Sequence, residues 1–292
     1  MTDKIKRTHK VQTPDCGVSE NFQKVTSRCF ILPFIVLFSF FCFFLITTES
    51  TFINKYVECQ KDIFLELNHV LSIHPKLAYN ITQLGDALVI FPFVFIFLIV
   101  APKFWEVLLT SSIFTLIISA VLKLIFAVPR PAAMIDMDAF TIMGRPNILH
   151  TSLPSGHSMT AFMLITVLLY AFMPKKMMSK VIWSTVLILI GLTIAFSRVA
   201  VGAHYPIDVI LGCTFGYIMA ILSIRLNTNL NWLYWMKTRR FYPIIMLILS
   251  IWTYLVILKI MKYNMVIFYL SLLALVVTFF VITKKYVEKN KA

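Results

Sequence analysis

An all-α bundle that crosses a membrane about eight times is predicted by three observations: hydrophobic content, the length of the uncharged runs, and the sidedness of the basic residues. The 292 residues are 59% hydrophobic and only 14% charged, which no ordinary soluble domain matches. No Asp, Glu, Lys or Arg occurs in 30–48, 87–102, 107–122, 158–174, 181–197, 209–224, 241–258 or 265–283. A membrane helix needs about 17–25 mostly apolar residues. With their flanks these runs make about eight spans, or six or seven if one is re-entrant or two are miscounted. With the N-terminus inside, segments 1–29, 102–106, 174–180, 225–240 and 284–292 hold 18 of the 27 Lys and Arg. That is a positive-inside bias. The net charge of +14 therefore reports topology, and nucleic acid is excluded as a partner.

Residues 1–29 are polar and basic, a predicted mobile cytoplasmic tail. The run from 30 follows this basic lead with no small-residue cleavage site after it, so it reads as a retained signal anchor. The loop 49–86 is the longest outer segment. Ile63, Phe64, Leu67, Val70 and Leu71 recur there at helical spacing against Asp62, Glu66 and Asn68, which predicts an amphipathic surface helix, either a packed cover or a lid. The next two runs lead to a second outer loop, 129–157, with a turn-prone Gly144-Arg145-Pro146-Asn147. Pro174-Lys175-Lys176 marks an inner turn. Two further spans follow, then a basic inner loop and a final hairpin without catalytic-looking residues. The predicted division is a tail over 1–29, a six-helix membrane core over 30–225, and a basic loop, two-helix hairpin and short tail over 226–292. Both termini are placed in the cytoplasm. Of five cysteines only Cys59 falls outside, so no disulfide framework is predicted.

Three clusters at the outer ends of these runs carry the chemistry: Lys123 with Arg130-Pro131, then Pro154-Ser155-Gly156-His157, then Ser197-Arg198 with His204 and Asp208. Lys123 and Arg130 are two turns apart and share a face if the helix continues, with Pro129 and Pro131 stopping it. Ser155 suits an N-cap, and the helix N-terminus it opens is an anion site that Gly156 lets a phosphate approach closely. Asp208, four residues from His204, suits a carboxylate that fixes the imidazole tautomer and supports positive charge on the ring. Three cations, two histidines and one carboxylate together suit phosphoryl transfer through a histidine nucleophile. No Asp, Glu or His group has metal-ligand spacing, so neither metal nor cofactor is predicted.

As a set, these eleven positions resemble, each one matched, the tripartite signature of the type 2 phosphatidic acid phosphatase (PAP2) superfamily. That superfamily takes in bacterial membrane lipid phosphatases and, more distantly, vanadium haloperoxidases. The resemblance implies a helical membrane core with metal-independent phosphatase activity. It implies that His204 is the nucleophile, forming a phosphohistidine, and that Asp208 orients it. It implies that His157 protonates the leaving alkoxide and later activates water, and that Lys123, Arg130, Ser155, Gly156 and Arg198 hold the phosphoryl oxygens. The stretch Ile142-Met143-Gly144 through His150-Thr151-Ser152-Leu153 looks like bacterial lipid A phosphatases; undecaprenyl pyrophosphate, phosphatidylglycerol phosphate and phosphatidic acid stay open as substrates.

The expected substrate is thus a lipid phosphate monoester or pyrophosphate, reached at the periplasmic face of a bacterial inner membrane. Arg145 and His150, in the loop over the site, are candidate headgroup contacts. His9, His69 and His74 read as surface residues. A lipid-to-lipid phosphotransferase would use the same histidine, and release of inorganic phosphate from one purified lipid separates the two. A transporter or channel would need polar groups deep in several spans, and these charges gather at one face.

Overall fold

The computed structural model describes residues 14–46, 52–233, 235 and 238–288, and among them every regular element is a helix. In order these are α1 (Pro14–Gln23), α2 (Ile31–Ile46), α3 (Phe52–Leu71), α4 (Pro75–Gln83), the short α5 (Ala87–Ile90) and α6 (Phe97–Val100), α7 (Pro102–Phe126), the short α8 (Pro131–Met134), α9 (Gly156–Ala171), α10 (Met177–Ala200), α11 (Pro206–Leu226), α12 (Tyr242–Tyr263) and α13 (Val266–Glu288). Six helical segments, built on α2, α7, α10, α11, α12 and α13, are long and apolar enough to cross a membrane. The protein is a polytopic membrane helical bundle.

Two of the eight predicted spans take another form. The run 87–102 is broken: α4 and the α5 segment meet at 85°, where Asp86 caps α5 through the Leu88 N–H. Pro92, which has no N–H to give, then begins a 3₁₀ turn rather than a continuous helix. The run 158–174 becomes α9, only 16 residues. At 1.5 Å per residue it covers about 24 Å, short of a hydrocarbon core of about 30 Å.

This short helix sits at the centre. α9 packs on α7, α10 and α11 and buries Met159, Ala161, Met163, Leu164 and Val167 almost completely. Its contact with α11 is set by two glycines one turn apart. A Cβ on Gly212 would lie 2.7 Å from Ser155 O, and one on Gly216 would lie 2.3 Å from Met159 O. Small residues at this spacing let two backbones close up in a membrane, and the approach brings the second and third clusters together.

The predicted mobile tail is corrected where the structure describes it; residues 1–13, with His9, lie outside the described residues. Residues 14–23 form α1, because Val18 and Phe22 make an apolar edge that buries against α7 and α9. The Asn21 amide donates to Ala171 O and Met173 O. Nearby, the buried Lys103 pairs with Glu106 at 3.0 Å and reaches the loop after α11 at Asn231.

The predicted amphipathic helix forms as α3, with Ile63, Val70 and Leu71 exposed, while Tyr56, Gln60, Phe64 and Asn68, four residues apart, form the buried face. Two of these, Gln60 and Asn68, are polar because they face backbone at the ends of other helices. Gln60 accepts from the Ile207 N–H. Asn68 donates to Val199 O and Ala200 O and accepts from the Thr141 N–H.

Candidate active site

The three clusters converge. α7 ends at Phe126 with Ala127 in the left-handed region at φ 44°, because the residues ahead of Pro129 are pushed out of helical geometry. The helix thus stops ahead of the two prolines, as predicted, and Arg130 is on the turn leading to α8. Its Nη1 donates to Ala203 O at 3.3 Å, in the third cluster. Ser155 caps α9 as predicted, and its N–H donates to Asp208 O at 3.0 Å. A Cβ on Gly156 would lie 3.6 Å from Lys123 Nζ. Residues from three separate helix ends thus share one wall.

A cleft of about 230 Å³ opens there, lined by Arg130, His157, Arg198 and Ala203 and, across from them, by Tyr79, Gln83 and Arg145. Arg198 Nη1 donates to the buried hydroxyl of Thr82 at 2.6 Å. The Nε–H groups of Arg130 and Arg198 are buried with no partner among the described residues. A buried donor left unmade is costly, and one carboxylate, Asp208, stands among Lys123, Arg130 and Arg198. The surplus positive charge and the unused donors fit a bound anion. Of the other predicted contacts, Arg145 lines the cleft, whereas His150 is exposed and outside it. The Ser155 hydroxyl is buried and takes bonds from Ser158 N and Oγ.

His204 does not line the cleft; it is 2% exposed, with its Nδ1 3.4 Å from Asp208 Oδ2. This is not a helical i, i+4 pair: α11 starts at Pro206, so His204 is on the preceding turn. Asp208, at the third position of the helix, accepts from the Tyr205 N–H at 2.9 Å. It also accepts from the Ser152 hydroxyl at 2.5 Å and the Tyr56 hydroxyl at 2.6 Å. The 3.4 Å separation is longer than a normal N–H···O bond, as catalytic contacts without substrate often are. Burial, then the charges of Arg130, Arg198 and Lys123, hold the His204 imidazole well below the usual histidine range. The neutral ring is favoured, with Nδ1 on the Asp208 side.

Tyr56, Ser152 and Thr82 are the polar contacts the sequence reading did not pick out. Ser152 sits in the stretch that looks like lipid A phosphatases, and Thr82 near the end of the long outer loop. Tyr56 shares its four-residue spacing with Gln60 and Asn68, a polar stripe that an apolar-moment search passes over.

Residues 104–232, which contain all eleven motif positions, match the family model described as PAP2 superfamily. Among solved structures, the crystal structure of Aquifex aeolicus LpxE matches at 27% identity, covering 57% of this chain and 95% of that one, with a TM-score of 0.48. Among curated proteins none matches.

Proposed function

We propose that this membrane protein, a PAP2-superfamily member through residues 104–232, is a phosphatase that hydrolyses a lipid phosphate monoester or pyrophosphate through a phosphohistidine. The observation that carries the reading is the cleft itself. Two arginines, each with a buried and unused Nε–H, and His157 line one small volume, and the buried His204 pairs with Asp208 nearby. Phosphoryl transfer is mostly positioning and stabilisation of spread negative charge, and these cations supply both.

In this reading Arg130, Arg198, Lys123 and the amides at the start of α9 hold the phosphoryl oxygens. The Nε2 of His204 attacks phosphorus as the bond to the lipid oxygen breaks, and His157 gives its proton to that oxygen. The negative charge of the bound phosphoryl group favours the protonated His157 needed for this step. His157 then takes a proton from water, whose oxygen displaces His204 and releases inorganic phosphate. Asp208 holds the His204 tautomer and supports the positive ring while the phosphohistidine exists.

A lipid substrate is supported by the place of the cleft, whose residues Arg130, Arg198 and Ala203 lie at the ends of helices long and apolar enough to cross a membrane. In the same reading this end of the bundle faces the periplasmic side of a bacterial inner membrane with both termini cytoplasmic, which the positive-inside bias supports. The test is phosphate release by the purified protein over a panel of lipid monophosphates and pyrophosphates, beside His204→Ala and His204→Gln. Both variants insert and lose turnover by several orders of magnitude; near-normal release by either removes the mechanism.

A further inference from the structure

The terminal hairpin of α12 and α13 lies outside the family-matched stretch and carries none of the motif residues. It nevertheless holds the bend between α4 and α5 at several points. The Ile267 N–H donates to Asn80 Oδ1 at 3.2 Å, and the Lys259 ammonium meets Asp86 Oδ2 at 2.5 Å. Trp252 Nε1 donates to Leu88 O and the Ser271 hydroxyl to Val89 O, both at 2.8 Å.

Between these anchors the same bend touches the cleft residues. Thr82 accepts from Arg198 at 2.6 Å. Gly85 is pressed on the general-acid candidate so closely that a Cβ there would lie 2.5 Å from His157 Cβ and 2.8 Å from its Cδ2. Hairpin contacts fall at 80, 86, 88 and 89, and cleft contacts at 82 and 85. The bend turns the chain through 85°, and broken helices of this kind keep their shape only where neighbours satisfy the freed backbone. Asp86 is the hinge of the arrangement: one carboxylate oxygen caps α5 and the other takes Lys259.

We propose that the C-terminal hairpin is a buttress of the active site, holding the 82–85 bend against His157 and Arg198, with Lys259 as the positioning residue that fixes Asp86. This rests on the phosphatase reading above. Displacing reacting groups by about 1 Å costs up to about a hundredfold in rate, so a loosened bend lowers turnover while substrate still binds through its tail and the remaining cations.

The experiment compares steady-state phosphate release by the full chain and its Lys259→Gln, Lys259→Arg and Lys262→Gln variants in lipid nanodiscs. Lys259→Gln lowers kcat about tenfold with KM changed less than about twofold. Lys259→Arg restores most of the loss, and Lys262→Gln, exposed near the end of the same helix, matches the wild type. If Lys259→Gln does not fold, Trp252→Phe replaces it: the ring stacked on Phe91 stays, the N–H bond to Leu88 O goes, and kcat falls in the same way. Wild-type kcat in Lys259→Gln or its replacement, a loss in KM alone, or no rescue by arginine overturns the buttress while leaving the phosphatase reading intact. A wild type that releases no phosphate from any lipid overturns that reading and the buttress with it.

Discussion

At His204 the surroundings select one protonation state, and the pH dependence follows from it. Burial and three nearby cations push the ring well below the usual histidine range. The unfolded chain takes up this proton near pH 6.5. The stabilising contribution is therefore complete above that pH and is lost as the pH falls from there towards the folded-state value. Attack needs the neutral ring, so the acid limb of kcat/KM that belongs to the nucleophile lies below about pH 6.5. Profiles with a lipid monophosphate and a lipid pyrophosphate separate this limb from titration of the substrate. A shared limb at or above pH 6.5 contradicts the assignment. The Lys123, Arg130, His157, Arg198, His204 and Asp208 set was legible from residue type and order alone. The second hydrogen-bonding layer was not, because Tyr56 reaches Asp208 across 152 positions and no local pattern encodes so distant a partner.

Among the elements, the contact of α9 with α11 decides whether the clusters meet. Gly212 and Gly216 face α9 so closely that added Cβ atoms would run into backbone oxygens, which cannot move aside as a side-chain end can. Gly216→Ala is expected to cost about 1–3 kcal/mol of stability, the usual range for overpacking, and to lower kcat as the two helix starts separate. Leu222→Ala, exposed on the same helix, is the comparison. Thermal unfolding and turnover measured on both variants decide the matter; a Gly216→Ala protein as stable and active as the wild type shows the approach to be dispensable. The glycine spacing was visible in the chain, but which helix it faced was not. In α3 the apolar periodicity gave the helix but not the polar stripe it packs with, since helix-end carbonyls require Asn68.

For the whole molecule, the site end and the opposite end carry their own native reporters. Cys59 is exposed on α3 at the site end, and Cys16 is exposed on α1 at the other. The positive-inside bias predicts that a membrane-impermeant maleimide modifies Cys59 and spares Cys16 in intact spheroplasts, with both modified after permeabilisation. Peptide mass spectrometry reads this directly, and the reverse pattern inverts the proposed orientation.

By itself the sequence determined the class of molecule and which residues make up the candidate site. Long uncharged runs admit only membrane helices, and phosphoryl transfer restricts which side chains serve it. Tertiary structure decided what those limits leave free. It determined that one span breaks at Asp86 and another shortens to α9, and that α1 packs instead of trailing. It also determined that α3 packs on the ends of α10 and α11, and that the terminal hairpin packs on the bend between α4 and α5. The physical reason is range: helix formation and membrane partition are set within a turn or two of the chain, whereas the partners of a buried hydroxyl or a bent backbone are chosen by segments far away in sequence.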